Sequence, residues 1–465
     1  MIKLTNSLGK KKVQLEPINE QKIGIYVCGV TVYDLCHLGH GRTFVSFDMI
    51  VRYLRYRGYE VKYVRNITDI DDKIIKRSQD LNIDWRILTE EMVEEMHKDF
   101  TALNILPPDY EPRPSNHIPE IIDMIERLIE RQYAYISDDG DVMFITSAAK
   151  NYGILSGQKI SKLISGARIE INEAKRNPLD FVLWKQSKPG EPAWPSPWGM
   201  GRPGWHIECS AMNSHYLGTH FDIHGGGADL IFPHHENEIA QSTAANDGPY
   251  VNYWMHTGMV TVDKEKMSKS LNNFLTLRDV LSKYNGETVR FFLLSAHYRK
   301  PLNFSDENLM VANSSLRRLY AACRYANNSS TYNVHENEWT IRFMRAMDDD
   351  FNTPQALAVI FELAKTVYRS YNENHSETAL LANTLVKLGN VLGLLGQNPE
   401  HFLQKQIDSE SEFITKINLK ILEREEARRN LAWSQADRIR DWLEQHGVEI
   451  EDDAGKTRWR MKTNI

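Results

Sequence analysis

Two histidines flank a glycine in the run His37-Leu38-Gly39-His40, which closely follows a short apolar segment. With 16 histidines and 26 glycines in 465 residues, an H-x-G-H run is expected by chance only about 0.03 times. The glycine lets the backbone approach a nucleotide, and the two imidazoles can donate hydrogen bonds to charge that develops on an α-phosphate. The run therefore predicts a phosphate-binding turn. The alternative is a pair of ordinary loop histidines.

A lysine-rich string, Lys266-Met267-Ser268-Lys269-Ser270, follows about 230 residues later. Two lysines on one short loop can bracket a phosphate during its transfer and neutralise a leaving pyrophosphate. A charge-rich loop is usually only a solvated surface, so the string is informative chiefly through its pairing with the histidine run. The histidine run alone would also fit a simpler nucleotidyltransferase.

A third constellation combines cysteine, histidine and glutamate. Cys28 ends the first apolar segment, Cys209 lies far along the chain, and His234, His235 and Glu238 lie in one short run. If a helix begins at the proline before His234, then His234 and Glu238 share a face at i and i+4, and His235 and Glu238 are an alternative pair at i and i+3. A Cys/Cys/His/Glu set matches zinc in ligand type. From spacing alone, a free buried cysteine pair beside a capped helix is an equally good interpretation.

Periodicity predicts the elements that must position these residues. The segment 22–30 is a short apolar run that predicts a buried strand, and 60–68 predicts a second one. Between them, apolar residues recur at spacings of three and four from Gly41 onward and predict a helix that stops near Gly58. Strand, helix and strand form a βαβ unit, which implies a parallel sheet with its ligand site at the strand ends.

The rest of the chain falls into parts of different pattern. Helices are predicted near 87–100 and 117–132, and sheet-like segments return at 219–224 and 253–260. Beyond about 305 the pattern is helical, with candidates at 306–327, 337–349, 354–370 and 376–395, a linker at 396–408 and a helical tail. The predicted fold class is α/β: a Rossmann-type parallel-sheet catalytic domain with an insertion, followed by an all-helical C-terminal half. The predicted parts are a first catalytic segment at 1–132, a connective insertion at 133–200, a second catalytic segment at 201–305, a helical bundle at 306–400 and a tail at 401–465.

Composition narrows the class of protein. The chain is 42% hydrophobic and 25% charged, as expected of a globular protein with a buried core, and its net charge of −6 argues against a histone-like nucleic-acid binder. No apolar run approaches the ~20 residues that span a bilayer, and the N-terminus lacks a signal-peptide pattern. The 4 cysteines (Cys28, Cys36, Cys209, Cys323) are too scattered for a disulfide framework. We expect a reduced, cytoplasmic enzyme of about three domains.

The histidine turn after the first strand and the lysine string after the last strands together resemble the class I aminoacyl-tRNA synthetases. In that family the two motifs hold ATP while an amino-acid carboxylate attacks its α-phosphate. The resemblance implies catalytic roles for His37, His40, Lys266 and Lys269. It implies ATP binding by His37, Gly39, His40, Lys266, Met267, Ser268, Lys269 and Ser270, with magnesium accompanying the nucleotide.

Four longer runs narrow the resemblance to the cysteinyl-tRNA synthetases: YVCGVTVYD at 26–34, GWHIECSAM at 204–212, HGGGADL at 224–230 and FPHHENE at 232–238. The likeness covers essentially the whole chain. It implies one zinc on Cys28, Cys209, His234 and Glu238, with the substrate thiol as an added ligand. Zinc stabilises a thiolate far more than an alkoxide, so cysteine would ionise on binding and serine would not. An apolar slot separates close analogues by only ~1–3 kcal/mol. A zinc–thiolate bond to the substrate would remove the need for a second, editing site, so the insertion at 133–200 is expected to be structural or to contact the acceptor stem, and to carry no editing chemistry.

The same resemblance implies further roles. In the amino-acid pocket it places Gly29, Thr68, Trp205 and Asp229, with Asp229 as a candidate for the substrate ammonium, and it places His224 and His256 beneath the zinc site. In the tail it assigns anticodon recognition to Arg428, Trp433, Asp437 and Asp452, with Arg428 and Asp437 at the edge of the first anticodon base. The alternatives are a core aromatic for Trp205, a strand-end cap for Thr68 and a solvated helix for the tail.

The resemblance implies that cysteine and ATP give cysteinyl-adenylate and pyrophosphate, after which the acyl group passes to the 3′ adenosine of tRNA(Cys). The expected partners are tRNA(Cys), ATP and L-cysteine, with no membrane and a monomeric state. One alternative is a ligase that joins cysteine to the amine of a small thiol precursor and lacks a full anticodon-binding tail. Another is an RNA-binding protein with an inactive α/β half, which the intact histidine and lysine motifs argue against.

Overall fold

A computed structural model describes residues 1–157, 175–262, 265–266, 274–327, 337–404, 412–453 and 456–461. The strands are β1 Lys3–Asn6, β2 Lys11–Gln14, β3 Lys22–Thr31, β4 Glu60–Thr68, β5 Ala134–Ile136, β6 Val142–Phe144, β7 Phe181–Gln186, β8 Gly201–Pro203, β9 Phe221–Gly227, β10 Val251–Thr257, β11 Val260–Val262, β12 Glu265–Lys266, β13 Leu302–Phe304, β14 Val448–Asp453 and β15 Lys456–Met461. The helices are α1 Leu38–Tyr56, α2 Asp72–Leu81, α3 Trp85–Ala102, α4 Ile118–Glu130, α5 Trp205–Leu217, α6 Glu236–Asn246, α7 Leu277–Leu281, α8 Gly286–Leu294, α9 Asp306–Cys323, α10 Glu338–Asp348, α11 Thr353–Asn372, α12 Thr378–Val391, α13 Pro399–Gln404, α14 Glu412–Arg429 and α15 Trp433–Gln445.

The chain divides into two compact units. The first comprises Met1–Leu309, Arg342–Leu357 and Val391–Gly393, and the second comprises Met310–Ile341, Ala358–Asn390 and Leu394–Ile465. The parallel sheet lies in the first unit, whereas helices dominate the second. In the part of the chain that the structure describes, no helix is both long and apolar enough to cross a bilayer.

Among the described residues, four parallel strands form the central sheet of the first unit, in the order β10–β9–β3–β4. Their residues are largely buried, which is typical of a parallel sheet covered by helices on both faces. The predicted βαβ unit is confirmed as β3, α1 and β4. Because parallel strands end at the same edge, the residues that follow β3, β9 and β10 meet there.

Helix α1 explains how the first motif is held. Its buried face includes Phe44, Phe47, Val51 and Leu54, the residues whose spacing predicted the helix. At its first turn, a Cβ on Gly41 would lie 2.8 Å from a methyl carbon of Leu277, so a larger residue would require the Leu277 side chain of α7 to shift. The buried glycine fixes the start of the helix against its neighbour.

The insertion contains regular structure that periodicity did not predict. Strands β5, β6, β7 and β8 pair in an antiparallel sheet, and residues 158–174 of the insertion lie outside the described residues. This sheet packs against α4 in a core that includes Ile121, Leu128, Phe144 and Trp184. Three of the four strands have 3 residues each, too few to show an alternating pattern in the sequence.

The second half of the chain is helical as predicted, with two differences. A short helix, α13, lies within the predicted linker at 396–408. The tail is helical only through α15, after which β14 and β15 form an antiparallel hairpin, whereas the sequence pattern predicted helices to the end. The tail has a core of its own, built from side chains of α14, α15 and the hairpin: Ile417, Ile421, Ile439, Leu443, Val448 and Trp459.

Candidate active site

The histidine run lies between β3 and α1, at the edge of the sheet where the parallel strands end. His37 is the N-cap of α1: its Nδ1 accepts a hydrogen bond from the backbone N–H of Gly39 at 3.1 Å. His40 Nδ1 accepts from the backbone N–H of His37 at 3.3 Å, which completes a capping box made of two imidazoles. The two rings stack with their centroids 3.7 Å apart. The helix N-terminus and both rings therefore form one rigid polar group.

The protonation of this pair follows from the same contacts. Burial, with the nearby charges of His37 and Lys73, holds the pKa of His40 well below its usual value, so the ring is neutral near pH 7. Since Nδ1 of each ring accepts a backbone hydrogen bond, Nε2 carries the proton in both rings. Each ring thus has an N–H donor suited to a phosphate oxygen.

The chain that follows the lysine string runs beside the histidine turn. Lys266 ends β12, and Met267, Ser268, Lys269 and Ser270 lie outside the described residues. The ring of Phe274 lies 5.4 Å from that of His37, and Leu38 donates its backbone N–H to the carbonyl of Leu275 at 3.2 Å. The segment at 274–275 is therefore held directly against the first motif.

Two cysteines, a histidine and a glutamate converge in a buried cluster that includes Cys28 of β3, the strand that precedes this turn. Cys28 of β3 and Cys209 of α5 bring their Sγ atoms to 3.7 Å. Glu238 Oε1 lies 3.4 Å from Cys28 Sγ and 3.1 Å from His234 Nε2. One ligand atom of each of these four buried residues lies within 4.8 Å of the others. The separation of His234 and Glu238 is the i, i+4 spacing considered above, at the junction of a short turn with α6.

A second group of possible ligands overlaps the first: Cys28, His224, His235 and Glu238 also lie within 4.8 Å of one another. In this group His235 Nε2 approaches Cys28 Sγ at 3.3 Å. His235 Nδ1 is bonded to His256 Nε2 at 2.8 Å, as His234 Nδ1 is to His206 at 3.0 Å, so these bonds do not distinguish the two groups. The first group has two thiols, the softer and more zinc-selective set, and is the better fit for that metal.

Glu238 is oriented by neighbours that approach its other oxygen. Oε2 accepts hydrogen bonds from His224 at 2.8 Å, Tyr250 at 3.0 Å and Asn213 at 3.3 Å. With Oε2 engaged in this way, Oε1 faces Cys28 and His234. Such supporting contacts hold a ligand carboxylate in one orientation. Sequence reasoning did not identify Tyr250 or Asn213, because neither lies in a recognisable motif.

The ionisable side chains of the cluster change one another's pKa values. Burial raises the pKa of the Cys28 thiol, and the adjacent Cys209 raises it further. Burial also opposes a thiolate at Cys209, but its contacts with Cys28 and His234 outweigh burial and lower its pKa to about 6. Glu238 and Cys209 overcome the burial of His234 and raise its pKa to about 10. The Cys209 thiolate and the Glu238 carboxylate are thus stabilised by the protonated ring of His234, a proton that a bound divalent cation would replace.

Three of the four residues assigned to the amino-acid pocket are connected to the cluster: Gly29, Thr68 and Trp205. Gly29 donates its N–H to Asn66 Oδ1 at 2.8 Å, and a Cβ there would lie 1.5 Å from the Asn66 carbonyl oxygen, so only glycine fits. Asn66 in turn bonds the hydroxyl of Thr68 at 3.2 Å and lies 3.8 Å from Cys209 Sγ. Trp205 stacks on His234 with ring centroids 4.3 Å apart. Asp229 is exposed, on the turn after β9.

The tail brings two of its four assigned residues together. Arg428 Nη1 lies 2.6 Å from Asp452 Oδ2, whereas Trp433 and Asp437 are exposed on α15. The buried Arg424, which sequence reasoning missed, holds Asp452 through two hydrogen bonds at 2.7 and 2.9 Å. These bonds lower the pKa of Asp452 to about 2, so its carboxylate is ionised across the physiological range.

Comparison with known proteins then places the chain in a family. The tRNA synthetases class I (C) catalytic domain matches residues 14–314, and the DALR domain matches residues 342–396. The cysteine–tRNA ligase of Yersinia enterocolitica is 57% identical over 462 residues, covering 99% of this chain and 100% of the relative, and that of Erwinia tasmaniensis is 58% identical over 463 residues, with the same coverage. The chain belongs to the cysteine–tRNA ligase family.

Solved structures show the same fold outside the cysteine–tRNA ligases. A Mycobacterium tuberculosis methionyl-tRNA synthetase in complex with methionyl-adenylate superposes with a TM-score of 0.57 at 15% identity, covering 86% of this chain and 94% of that one. A LeuRS–tRNA–LeuAMS complex from Agrobacterium radiobacter gives a TM-score of 0.57 at 10% identity, covering 84% and 86%. The α/β sheet and the helical second half are therefore those of a class I synthetase, as predicted.

Proposed function

We propose that this chain joins cysteine to tRNA(Cys): cysteine and ATP give cysteinyl-adenylate and pyrophosphate, and the acyl group then passes to the terminal adenosine of the tRNA. The observation that carries this proposal is the buried cluster of Cys28, Cys209, His234 and Glu238, with Cys28 on β3, the strand that precedes the histidine turn. It occurs in a chain that matches cysteine–tRNA ligases along 99% of its length.

In the first step, the charge that develops is on the α-phosphate. The Nε2 protons of His37 and His40 are donors for its oxygens, and the N-terminus of α1 adds the favourable end of the helix dipole. Because the two rings stack and are fixed by backbone hydrogen bonds, they need little reorganisation when charge appears. We assign Lys266 and Lys269 to the pyrophosphate, and magnesium to ATP, on the strength of family membership.

The side chains of the cluster are suitable ligands for zinc. Two thiols, an imidazole and a carboxylate match zinc in ligand type and number, and His224, Tyr250 and Asn213 already orient the carboxylate. Bound there, zinc supplies a soft Lewis acid that favours the thiolate of cysteine over the hydroxyl of serine. Trp205, itself 38% exposed, stacks on His234 and helps to bury this ligand.

The tail is assigned to the anticodon. Trp433 is 56% exposed and suits stacking on a splayed base, while Arg428 presents a half-exposed guanidinium next to Asp452. A ligase for a small thiol precursor needs no such tail, so it is disfavoured by these residues and by relatives of full length. We further propose that the protein works as a monomer in the cytoplasm.

Metal removal tests the proposed function directly. We expect the purified chain to hold about one zinc and to catalyse cysteine-dependent ATP–pyrophosphate exchange, with serine giving almost none. Chelation should abolish the exchange, and zinc should restore it, because the cluster selects the thiolate through the metal. A metal-free preparation that remains fully active would contradict the assignment, as would equal exchange with serine.

Replacing Arg428 with alanine should weaken recognition of the anticodon. One good bidentate contact to a base is worth about 1–3 kcal/mol. The value of kcat/KM for tRNA(Cys) should therefore fall by about 5- to 150-fold. Exchange without tRNA should not change. A tRNA altered at its first anticodon base should be affected much less, since both losses share one contact. The neighbouring exposed residue offers a control: Arg429→Ala should affect both tRNAs equally. An identical loss on both tRNAs in the Arg428 variant would refute base reading.

A further inference from the structure

The hairpin at the end of the tail has two chemically different faces. Ile450 and Trp459 are paired across the strands on one face, which packs onto α14 and α15 in the core of the tail. Glu451 and Arg458 are paired on the opposite face. Side chains alternate between the faces of a strand, so Asp452, next to Glu451, returns to the inner face, where it contacts Arg428.

The charged face of the hairpin meets a buried arginine of the helical bundle. Arg324, which directly follows α9, has a side chain only 2% exposed. Its guanidinium lies 2.8 Å from Glu400 and 3.5 Å from Glu451, and it donates to the carbonyl oxygen of Trp459 at 3.1 Å. Arg458 approaches the other oxygen of Glu400 at 3.9 Å. Two arginines and two glutamates thus alternate in one network.

Glu400 lies on a helix that is packed against the bundle. It lies on α13, where Phe402 stacks on Tyr320 with ring centroids 4.0 Å apart. The carbonyl of Leu403 on the same helix accepts a hydrogen bond from Arg317 at 2.7 Å. The network therefore joins an element fixed to the bundle with the two strands of the hairpin.

Polar contacts join the hairpin to the bundle at this network. A cavity of about 620 Å³ lies there, lined by Arg318 and Tyr368 of the bundle and by Glu449 and Glu451 of the hairpin. The core of the tail is made of the tail's own side chains. Side chains that face this gap lack dispersion contacts with a partner there, so the ion pairs and hydrogen bonds of the network contribute to the orientation of the hairpin.

We infer that Arg324 is a positioning residue for anticodon recognition: it fixes the hairpin against the bundle and thereby sets the place of Asp452 and Arg428. The inference rests on the proposed tRNA-charging function. Glu451 and Asp452 are consecutive residues of one strand, so the contact of Arg324 with Glu451 and the contact of Arg424 with Asp452 hold that strand from its two faces. The guanidinium of Arg428 is paired with Asp452, so its place depends on where the strand is held.

The test is Arg324→Ala in the full chain. We expect KM for tRNA(Cys) to rise about tenfold, as befits the loss of hydrogen bonds to charged partners, while kcat stays within about twofold. Cysteine-dependent ATP–pyrophosphate exchange should be unchanged. For a tRNA altered at its first anticodon base, the rise in KM should shrink to about twofold, because that substrate has already lost the contact. Arg369→Ala, which removes an exposed arginine from α11, serves as the control and should leave KM unaltered.

A second, milder variant tests the same network in case Arg324→Ala does not fold. Glu400→Gln keeps the shape of a 40% exposed side chain and removes the central charge of the network, so it should raise KM in the same direction. Combining it with Arg324→Ala should add little, since both changes break one interaction. An unchanged KM in Glu400→Gln, or an equal rise on cognate and altered tRNA, overturns the inference. Absence of cysteine-dependent exchange in the unmodified protein would instead overturn the proposed function.

Discussion

Cys209→Ser is expected to abolish both zinc binding and cysteine-dependent ATP–pyrophosphate exchange. Cys209 contributes one of two thiols to the cluster, and its thiol has the lowered pKa of the pair, about 6, so it is the thiolate that the fold prepares for a cation. A serine hydroxyl at this position stays protonated and is a far poorer zinc ligand. Metal analysis of the purified variant should show a zinc content near zero.

A matched substitution separates this effect from general damage. Cys323 is also buried, at the end of α9, and Cys323→Ser makes the same chemical change away from the cluster. That variant should keep its zinc and its exchange activity. Circular dichroism should show that Cys209→Ser remains folded, since serine is close to cysteine in size. Normal exchange in a folded, zinc-free Cys209→Ser protein would remove the metal from the mechanism.

His40→Ala should slow adenylate formation by about 10²–10³-fold, the usual loss when one preorganised donor to a developing charge is removed. The ring is neutral because its pKa is held low, chiefly by burial, and its proton is on Nε2 because Nδ1 accepts from the backbone of His37. The loss should appear in kcat for exchange. Zinc content and the affinity for cysteine should change little, because the cluster has its own ligands.

The control for this variant lies at the other edge of the sheet. His220 precedes β9, where the parallel strands begin, and its Nε2 is bonded to Asn252 at 2.8 Å. His220→Ala should leave exchange within about twofold of the unmodified protein. If His40→Ala lost cysteine affinity as steeply as rate, His40 would belong to the amino-acid pocket and not to the phosphates.

Periodicity predicted the elements that are long and buried on a repeating face. The bounds of β4 are those predicted, and α1 shows the spacing of apolar residues on its buried face. The same reasoning failed for the three-residue strands of the insertion, because two or three alternations are indistinguishable from a loop. It also failed for the hairpin, whose outer face is charged, so that 448–461 reads as a polar tail.

The candidate site was partly visible in the sequence because its ligands lie in compact runs. His234 and Glu238 are close in sequence, and the resemblance supplied their pairing with Cys28 and Cys209. Tyr250 and Asn213 were not predicted, although both bond Glu238, since each is a lone polar residue with no motif around it. Arg424 was missed for a similar reason: in a charged helix, nothing marks which arginine is buried.

The cluster also bears on how the first unit holds together. Cys28 and Glu238 are 210 positions apart, so a cation held by both closes a very long loop of chain. The entropy of closing a loop grows only slowly with its length, yet a cross-link between distant segments restricts the unfolded chain most. Metal affinity then becomes part of the folding free energy, so chelation should lower the stability of the first unit while its buried core keeps it folded.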